Sequence, residues 1–175
     1  MNPGGVEAHK PVSTAHSSAT GSILSIDYGR ERMGLAIANA NTPVAQPLAT
    51  IQRINRNEDM RRLRELVRGH AVKQIVVGLP LKLDGTRGDM ALEAERFARR
   101  VRKQLGLPVE LVDERLTSWE AERLLEETQG RFLHAEKSGG RKPKKAAARA
   151  TVDAMAAAVI LKDYLERQEQ LAEPR

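Results

Sequence analysis

Between two stretches of helical periodicity lies Gln74-Ile-Val-Val-Gly78, a short run with consecutive apolar residues. A strand that is apolar at successive positions has no face to give to water. It belongs inside a sheet covered on both sides, the situation of parallel strands joined by helices. The flanking segments fit that arrangement. Asn57 to His70 places Met60, Leu63, Leu66 and Val67 at helical spacing. Asp89 to Leu105 does the same with Ala94, Phe97, Ala98, Val101 and Leu105, and Gly106 is a stop signal. Val109-Glu-Leu-Val-Asp113 reads as the next strand. Upstream, Ser22-Ile-Leu-Ser-Ile-Asp27 reads as a buried strand, Tyr28 to Glu31 as a tight turn, and Arg32 to Asn39 as its hairpin partner. Pro47 to Ile51 is expected to be a third strand. A helix is expected from Thr117, where Thr117 and Glu120 have capping-box spacing, and an alanine-rich helix from about Lys145 to Gln168. The predicted order is β-β-β-α-β-α-β-α-α. This is an α/β chain with a mixed central sheet, a three-stranded antiparallel meander plus parallel strands, flanked by helices on both faces.

The 175 residues fit one domain. Residues 1–20 mix Gly, Pro, Ser, Thr and His without periodicity and are expected to be a disordered tail. The domain is expected to span 21–168, with 169–175 as a short C-terminal tail. Without cysteine there is neither a disulfide nor a Cys-based zinc site, and the four histidines show no ligand spacing. No P-loop or GxGxxG occurs. No apolar run approaches the roughly 20 residues of a membrane span, so the expectation is a cytoplasmic protein without a membrane partner. The formal charge of +6, from 29 Lys+Arg against 23 Asp+Glu, favours an anionic partner such as nucleic acid. Aromatics at 3% argue against a single-strand binder built on stacking platforms.

Three acids sit where acids are unexpected. Asp27 ends the apolar run Ile23 to Ile26, Glu114 follows Leu111-Val112, and Asp153 lies in the otherwise almost wholly apolar helix segment Ala150 to Ala158. Ligands of open α/β sheets bind outside the carboxyl ends of the strands, where Asp27 and Glu114 both fall. Three converging carboxylates repel unless a cation lies between them, and hard oxygen donors suit Mg²⁺ or Mn²⁺. Such cations promote phosphoryl transfer. Plainer readings stand beside this one. Asp27 before Tyr28-Gly29 is also a turn residue, Glu114 also a partner for Arg115, and Asp153 also a partner for Arg149 one helical turn earlier. Residues 130–149 carry Arg131, Lys137, Arg141, Lys142, Lys144, Lys145 and Arg149 against the single acid Glu136. This run reads as a mobile basic loop leading into the helix of Asp153, suited to holding flanking phosphates.

Four segments resemble the YqgF/RuvX family, described variously as Holliday junction resolvase-like and as the nuclease of precursor 16S ribosomal RNA. They are Ser25-Ile-Asp-Tyr-Gly-Arg-Glu-Arg-Met-Gly-Leu-Ala36, Ile75-Val-Val-Gly-Leu-Pro-Leu81 with Asp84-Gly85, Asp113-Glu-Arg-Leu-Thr-Ser118, and Asp153 to Leu161 with Tyr164-Leu165. The resemblance implies a ribonuclease H-like fold. It implies that Asp27, Glu114 and Asp153 are the catalytic, metal-binding acids, and it favours Glu114 over its neighbour Asp113. Arg30, Arg32, Lys82 and Arg115, within or beside these segments, are expected to join Arg141, Lys142, Lys144, Lys145 and Arg149 as nucleic-acid contacts. The function implied is a metal-dependent endonuclease with water as nucleophile, acting on precursor 16S rRNA at its 5′ end during ribosome biogenesis. The alternatives are a Holliday junction resolvase and a non-catalytic protein that binds nucleic acid or the ribosome. An ATPase-like protein built on an Asp-x-Gly hairpin needs two such halves, and the sequence has one. The expected partners are structured RNA or branched DNA, and the ribosome, with the chain as monomer or homodimer.

Overall fold

The computed structural model describes residues 21–39, 42–116 and 145–172. Three strands form the meander: β1 (Ser22–Tyr28), β2 (Arg32–Asn39) and β3 (Thr42–Gln52). Helix α1 (Arg56–Gly69) leads to β4 (Val72–Leu79), and α2 (Asp89–Leu105) leads to β5 (Val109–Asp113). A single 3-10 turn, Glu114–Leu116, follows β5, and α3 (Lys145–Ala172) closes the described chain. The sheet order is β3-β2-β1-β4-β5. β2 is antiparallel to β1 and β3, whereas β4 is parallel to β1 and β5. This is the mixed sheet expected of a ribonuclease H-like fold.

Each boundary has a local cause. Asn55 caps α1, its side chain accepting from the backbone N–H of Asn57 at 3.1 Å and of Glu58 at 3.0 Å. Gly106 ends α2 with φ of 68°, a conformation glycine adopts without penalty. The third strand is longer than the sequence indicates. It starts at Thr42, because Pro43 and Pro47 lie on an edge strand where a missing N–H is tolerated, and Pro47 sits at a register shift opposite Ala36. α3 also runs on to Ala172, four residues past the expected end of the domain. The expected N-terminal tail, the helix from Thr117 and the basic loop up to Lys144 lie outside the described residues.

Alternation along the strands divides the apolar residues into two cores. Leu24 and Ile26 of β1, Met33 and Leu35 of β2, and Ile75 and Val77 of β4 point one way. They pack with Met60 and Leu63 of α1 and Phe97 and Val101 of α2. Ala36, Ala38, Val76 and Val112 point the other way, against Ala157, Ile160, Leu161 and Tyr164 of α3. Asp27 and Gly34, and Gly78 of β4, share the alternation of this second face. The carboxyl ends of β1, β4 and β5 and the first turns of α1 and α2 therefore meet at one edge of the sheet.

Candidate functional site

Asp27 lies one residue before the end of the central strand β1 and is paired across the hairpin with Gly34. A side chain at Gly34 has no room: a Cβ there would lie 1.8 Å from the carbonyl oxygen of Asp153. The α3 backbone thus rests directly on β2, and this contact sets Asp153 beside Asp27. A second glycine does the same on the other flank. A Cβ on Gly78 would lie 2.0 Å from Oε1 of Glu114, so the carboxylate of Glu114 folds over β4 in the space that Gly78 leaves. Two bare positions, on the strands that flank β1 on either side, bring the three acids to one edge.

Their electrostatics agree. Burial, then the charge of Asp153, raises the Asp27 carboxyl to about 6. Burial, followed by Asp27 and Asp113, raises Glu114 to about 7. After burial, Asp27 feels the charge of Asp153, and Glu114 that of Asp27. Asp113 differs: hydrogen bonds from Arg115 hold it below the usual carboxylate range, with Arg115 Nη2 at 2.6 Å from Asp113 Oδ2. Arg115 therefore serves Asp113, and the half-buried Glu114 stays with Asp27.

Asp153 is engaged elsewhere. Arg32 Nε donates to its Oδ2 at 2.6 Å, across 121 residues of sequence. The side chain of Arg149 lies outside the described residues, as do those of Arg141, Lys142, Lys144 and Lys145. A polar cleft of about 310 Å³ opens between Asp27 and Asp153, walled by Gly29, Arg30, Arg32 and Gly34. Arg30 reaches from this wall to Glu93 of α2, Nη2 to Oε1 at 2.8 Å. Lys82 is exposed on the loop after β4, where its backbone N–H bonds the Thr86 carbonyl at 2.9 Å.

The turn that carries Asp27 is held from behind. Arg53 donates to the Gly29 carbonyl at 2.9 Å and to the buried Asp59 at 3.0 Å, and its guanidinium lies 4.7 Å from the centre of the Tyr28 ring. The sequence reading named neither Arg53 nor Asp59, and it missed Gly34 and Gly78 as site-builders. A glycine inside an otherwise good strand is a signal of close approach, and both glycines carry it.

Oxygen donors with raised carboxyl pKa values fit a hard divalent cation. Among the described residues no three His, Cys, Asp or Glu side chains stand close enough to enclose one ion.

A profile of the RuvX family, described as Holliday junction resolvase, matches residues 21–167. The chain belongs to the RuvX family. Its relatives include proteins named "Putative pre-16S rRNA nuclease". One from Anaeromyxobacter sp. (strain K) is 43% identical over 145 residues, 83% of this chain and 96% of that one. Another, from Koribacter versatilis, is 36% identical and covers 87% of this chain and 91% of its own. Among solved structures the fold is similar to T. thermophilus RuvC in complex with a Holliday junction substrate. The TM-score is 0.47 at 15% identity, covering 88% of this chain and 99% of that one. As a RuvX member the chain is a nuclease, a hydrolase acting on ester bonds.

Proposed function

We propose that this RuvX nuclease is a divalent-metal-dependent endonuclease on structured nucleic acid, with precursor 16S rRNA, at its 5′ end, as substrate. The observation that carries the metal requirement is the placement of Asp27 at the end of β1 and of Glu114, folded over Gly78 of the intervening β4, at one sheet edge, where burial and neighbouring acids raise both carboxyls. The substrate rests on the names of the relatives that the chain matches over nearly their whole length.

Asp27, Glu114 and Asp153 would hold Mg²⁺ or Mn²⁺. When bound, the cation stabilises charge on the phosphoryl oxygens as water displaces the leaving oxygen. Asp27 and Glu114 would hold the cation as carboxylates, giving up to solvent any proton that their raised pKa values leave on them. Arg32, once released by Asp153, and Arg30 line the cleft and are placed to hold the phosphates beside the scissile one. Lys82, Arg115 and the basic residues Arg141, Lys142, Lys144, Lys145 and Arg149 would extend that grip along the backbone. No helix among the described residues is long and apolar enough to cross a membrane, and the proposed place of action is the cytoplasm, on the assembling ribosome.

Four-way junction cleavage is the second reading, favoured by the description of the family. Matched precursor RNA and four-way DNA substrates, incubated with Mn²⁺ or Mg²⁺ and in EDTA, separate the two. The reading expects metal-dependent cleavage of the RNA, reduced at least about 100-fold by Asp27→Asn. Cleavage in EDTA, or full activity of Asp27→Asn, would overturn the metal assignment. Exclusive cleavage of the junction would move the substrate to DNA.

A further inference from the structure

The second half of α2 carries Arg96, Arg99, Arg100, Arg102 and Lys103 and no acid. Helical spacing sets Arg96, Arg99, Arg100 and Lys103 at i, i+3, i+4 and i+7, on one stripe. The opposite stripe, Ala94, Phe97, Ala98 and Val101, is buried against the sheet. Arg96, Arg99 and Lys103 are exposed and Arg100 is half-buried. None of the four makes an ion pair among the described residues.

The neighbouring helix pairs part of its basic surface with acids of its own, although Arg64 and Arg68 set like charges at i and i+4 once. On α1, Arg61 is bonded by Glu58 and Glu65, and Arg62 by Glu58 at 2.9 Å. On α2 the acids at helical spacing from the stripe, Glu93 before Arg96 and Glu95 before Arg99, are ion-paired instead with Arg30 and Arg87 from outside the helix. α2 sets like charges at i and i+4 twice, Arg96 with Arg100 and Arg99 with Lys103, an arrangement that destabilises a helix. A face kept only for solubility gains nothing from that repulsion, whereas a polyanion removes it.

The stripe is also placed at the site. Glu93, three residues before Arg96, is bonded by Arg30 from the turn that follows Asp27. From there the four cations run down the helix for about 10 Å. That is roughly three nucleotide steps at 3.4 Å of rise. With aromatics at 3% of the chain, stacking is a poor source of affinity, and contacts to phosphates are the chemistry available.

We propose that this stripe of α2 is a second nucleic-acid surface, which takes the sugar–phosphate backbone of a duplex arm flanking the cleavage point. α2 packs on the sheet face turned away from α3. A substrate held both here and at the Asp27 cleft turns around the sheet edge, which selects structured or branched nucleic acid over a straight single strand. The identity of the polymer rests on the nuclease reading; the surface itself requires only a phosphate backbone, a chemistry that RNA and DNA duplexes share.

The test is fluorescence anisotropy of the full chain with labelled RNA and DNA duplexes, in EDTA, over a series of salt concentrations. Working without metal keeps this result independent of whether Asp27 and Glu114 bind a cation. Arg96→Gln/Arg99→Gln/Arg100→Gln/Lys103→Gln should lower the slope of log K against log salt by about 3, and Arg96→Gln/Lys103→Gln by about half as much. Arg61→Gln/Arg62→Gln on α1 should leave the slope unchanged. A fall on either duplex supports the proposal and identifies which polymer the surface holds. An unchanged slope in the quadruple variant, or an equal fall in the α1 variant, would overturn it.

Discussion

The two faces of the sheet are built from different residues and do different work. Under α1 and α2 the sheet presents Leu24, Ile26, Met33, Leu35, Ile75 and Val77, filled in by Met60, Leu63 and Phe97. Under α3 it presents Gly34, Ala36, Ala38 and Gly78 beside Val76 and Val112, and α3 replies with Ala154 and Ala157 next to Asp153 and with Ile160, Leu161 and Tyr164 farther along. Large side chains on the first face remove apolar area from water, which is the main stabilising term of a fold. Small ones on the second let α3 approach until its backbone touches Gly34, and they leave volume at the edge for carboxylates. One face therefore contributes most of the stability. The other gives some up to hold Asp27, Glu114 and Asp153 close together, and changes on the two faces should have separable consequences.

The largest effect on stability is expected on the first face. Phe97 is fully buried and packs against Tyr28 with ring centroids 4.7 Å apart. Phe97→Ala should cost about 3–5 kcal/mol in urea unfolding. Yet the part that remains folded should keep its stabilisation by Mn²⁺. Loss of the Mn²⁺ response at permissive temperature would show that the faces are not separable.

A stability change of a few kcal/mol is expected from pH alone, and it belongs to the second face. The folded-state pKa values of Asp27 and Glu114, about 6 and about 7, lie above those of the unfolded chain. Stability from these groups is fully present below about pH 4 and is lost as pH rises through 6 to 7. The rate is about 1.4 kcal/mol for each pH unit and group in that window. In EDTA, melting temperature should fall from pH 5 to pH 8, and saturating Mn²⁺ should reverse the fall at the alkaline end. A flat or rising profile in EDTA would contradict the raised carboxyls that burial, and after it the neighbouring acids, impose.

Gly34→Ala forces α3 away from β2, an overpacking expected to cost about 1–3 kcal/mol. Its effect on function should be far larger than its effect on stability, with cleavage falling at least about 100-fold because Asp153 leaves the edge. A variant that loses stability but keeps cleavage would separate the glycine contact from the site. The smallest expected effect is that of Arg32→Gln. Its pair with Asp153 is partly exposed, at 31% and 21% of the two side chains, so less than about 1 kcal/mol of metal-free stability should go. Calorimetry should show Mn²⁺ binding more tightly to this variant, with the gain absent when Asp153→Asn is added. A gain that persists in the double variant would assign it to general charge, not to release of Asp153.

The parts of this account that could be read from the sequence are those with local causes. Apolar runs gave the bounds of β2 and β5 to the residue, and Gly106 ended α2 where its conformational freedom is used. β3 was underestimated because prolines normally interrupt strands, and only the sheet order shows that this strand is an edge. The three acids stood out as charges in apolar surroundings. What holds them did not, since the contacts of Gly34 with Asp153 and of Gly78 with Glu114 join residues far apart in the chain. The sequence offers Arg149 to Asp153 through helical spacing. The ion pair that the structure describes comes from Arg32 on another element, a choice that depends on how α3 crosses the sheet.

The central claim is that Asp27 and Glu114 act as one cation site. Titration of Mn²⁺ into the wild-type chain, Asp27→Asn and Glu114→Gln by calorimetry at pH 7.5, about half a unit above the higher of the two carboxyl values, tests it most directly. The account predicts binding with proton release in the wild type, and at least about a tenfold loss of affinity in each variant, or about 1.4 kcal/mol. Wild-type affinity in both variants would contradict it.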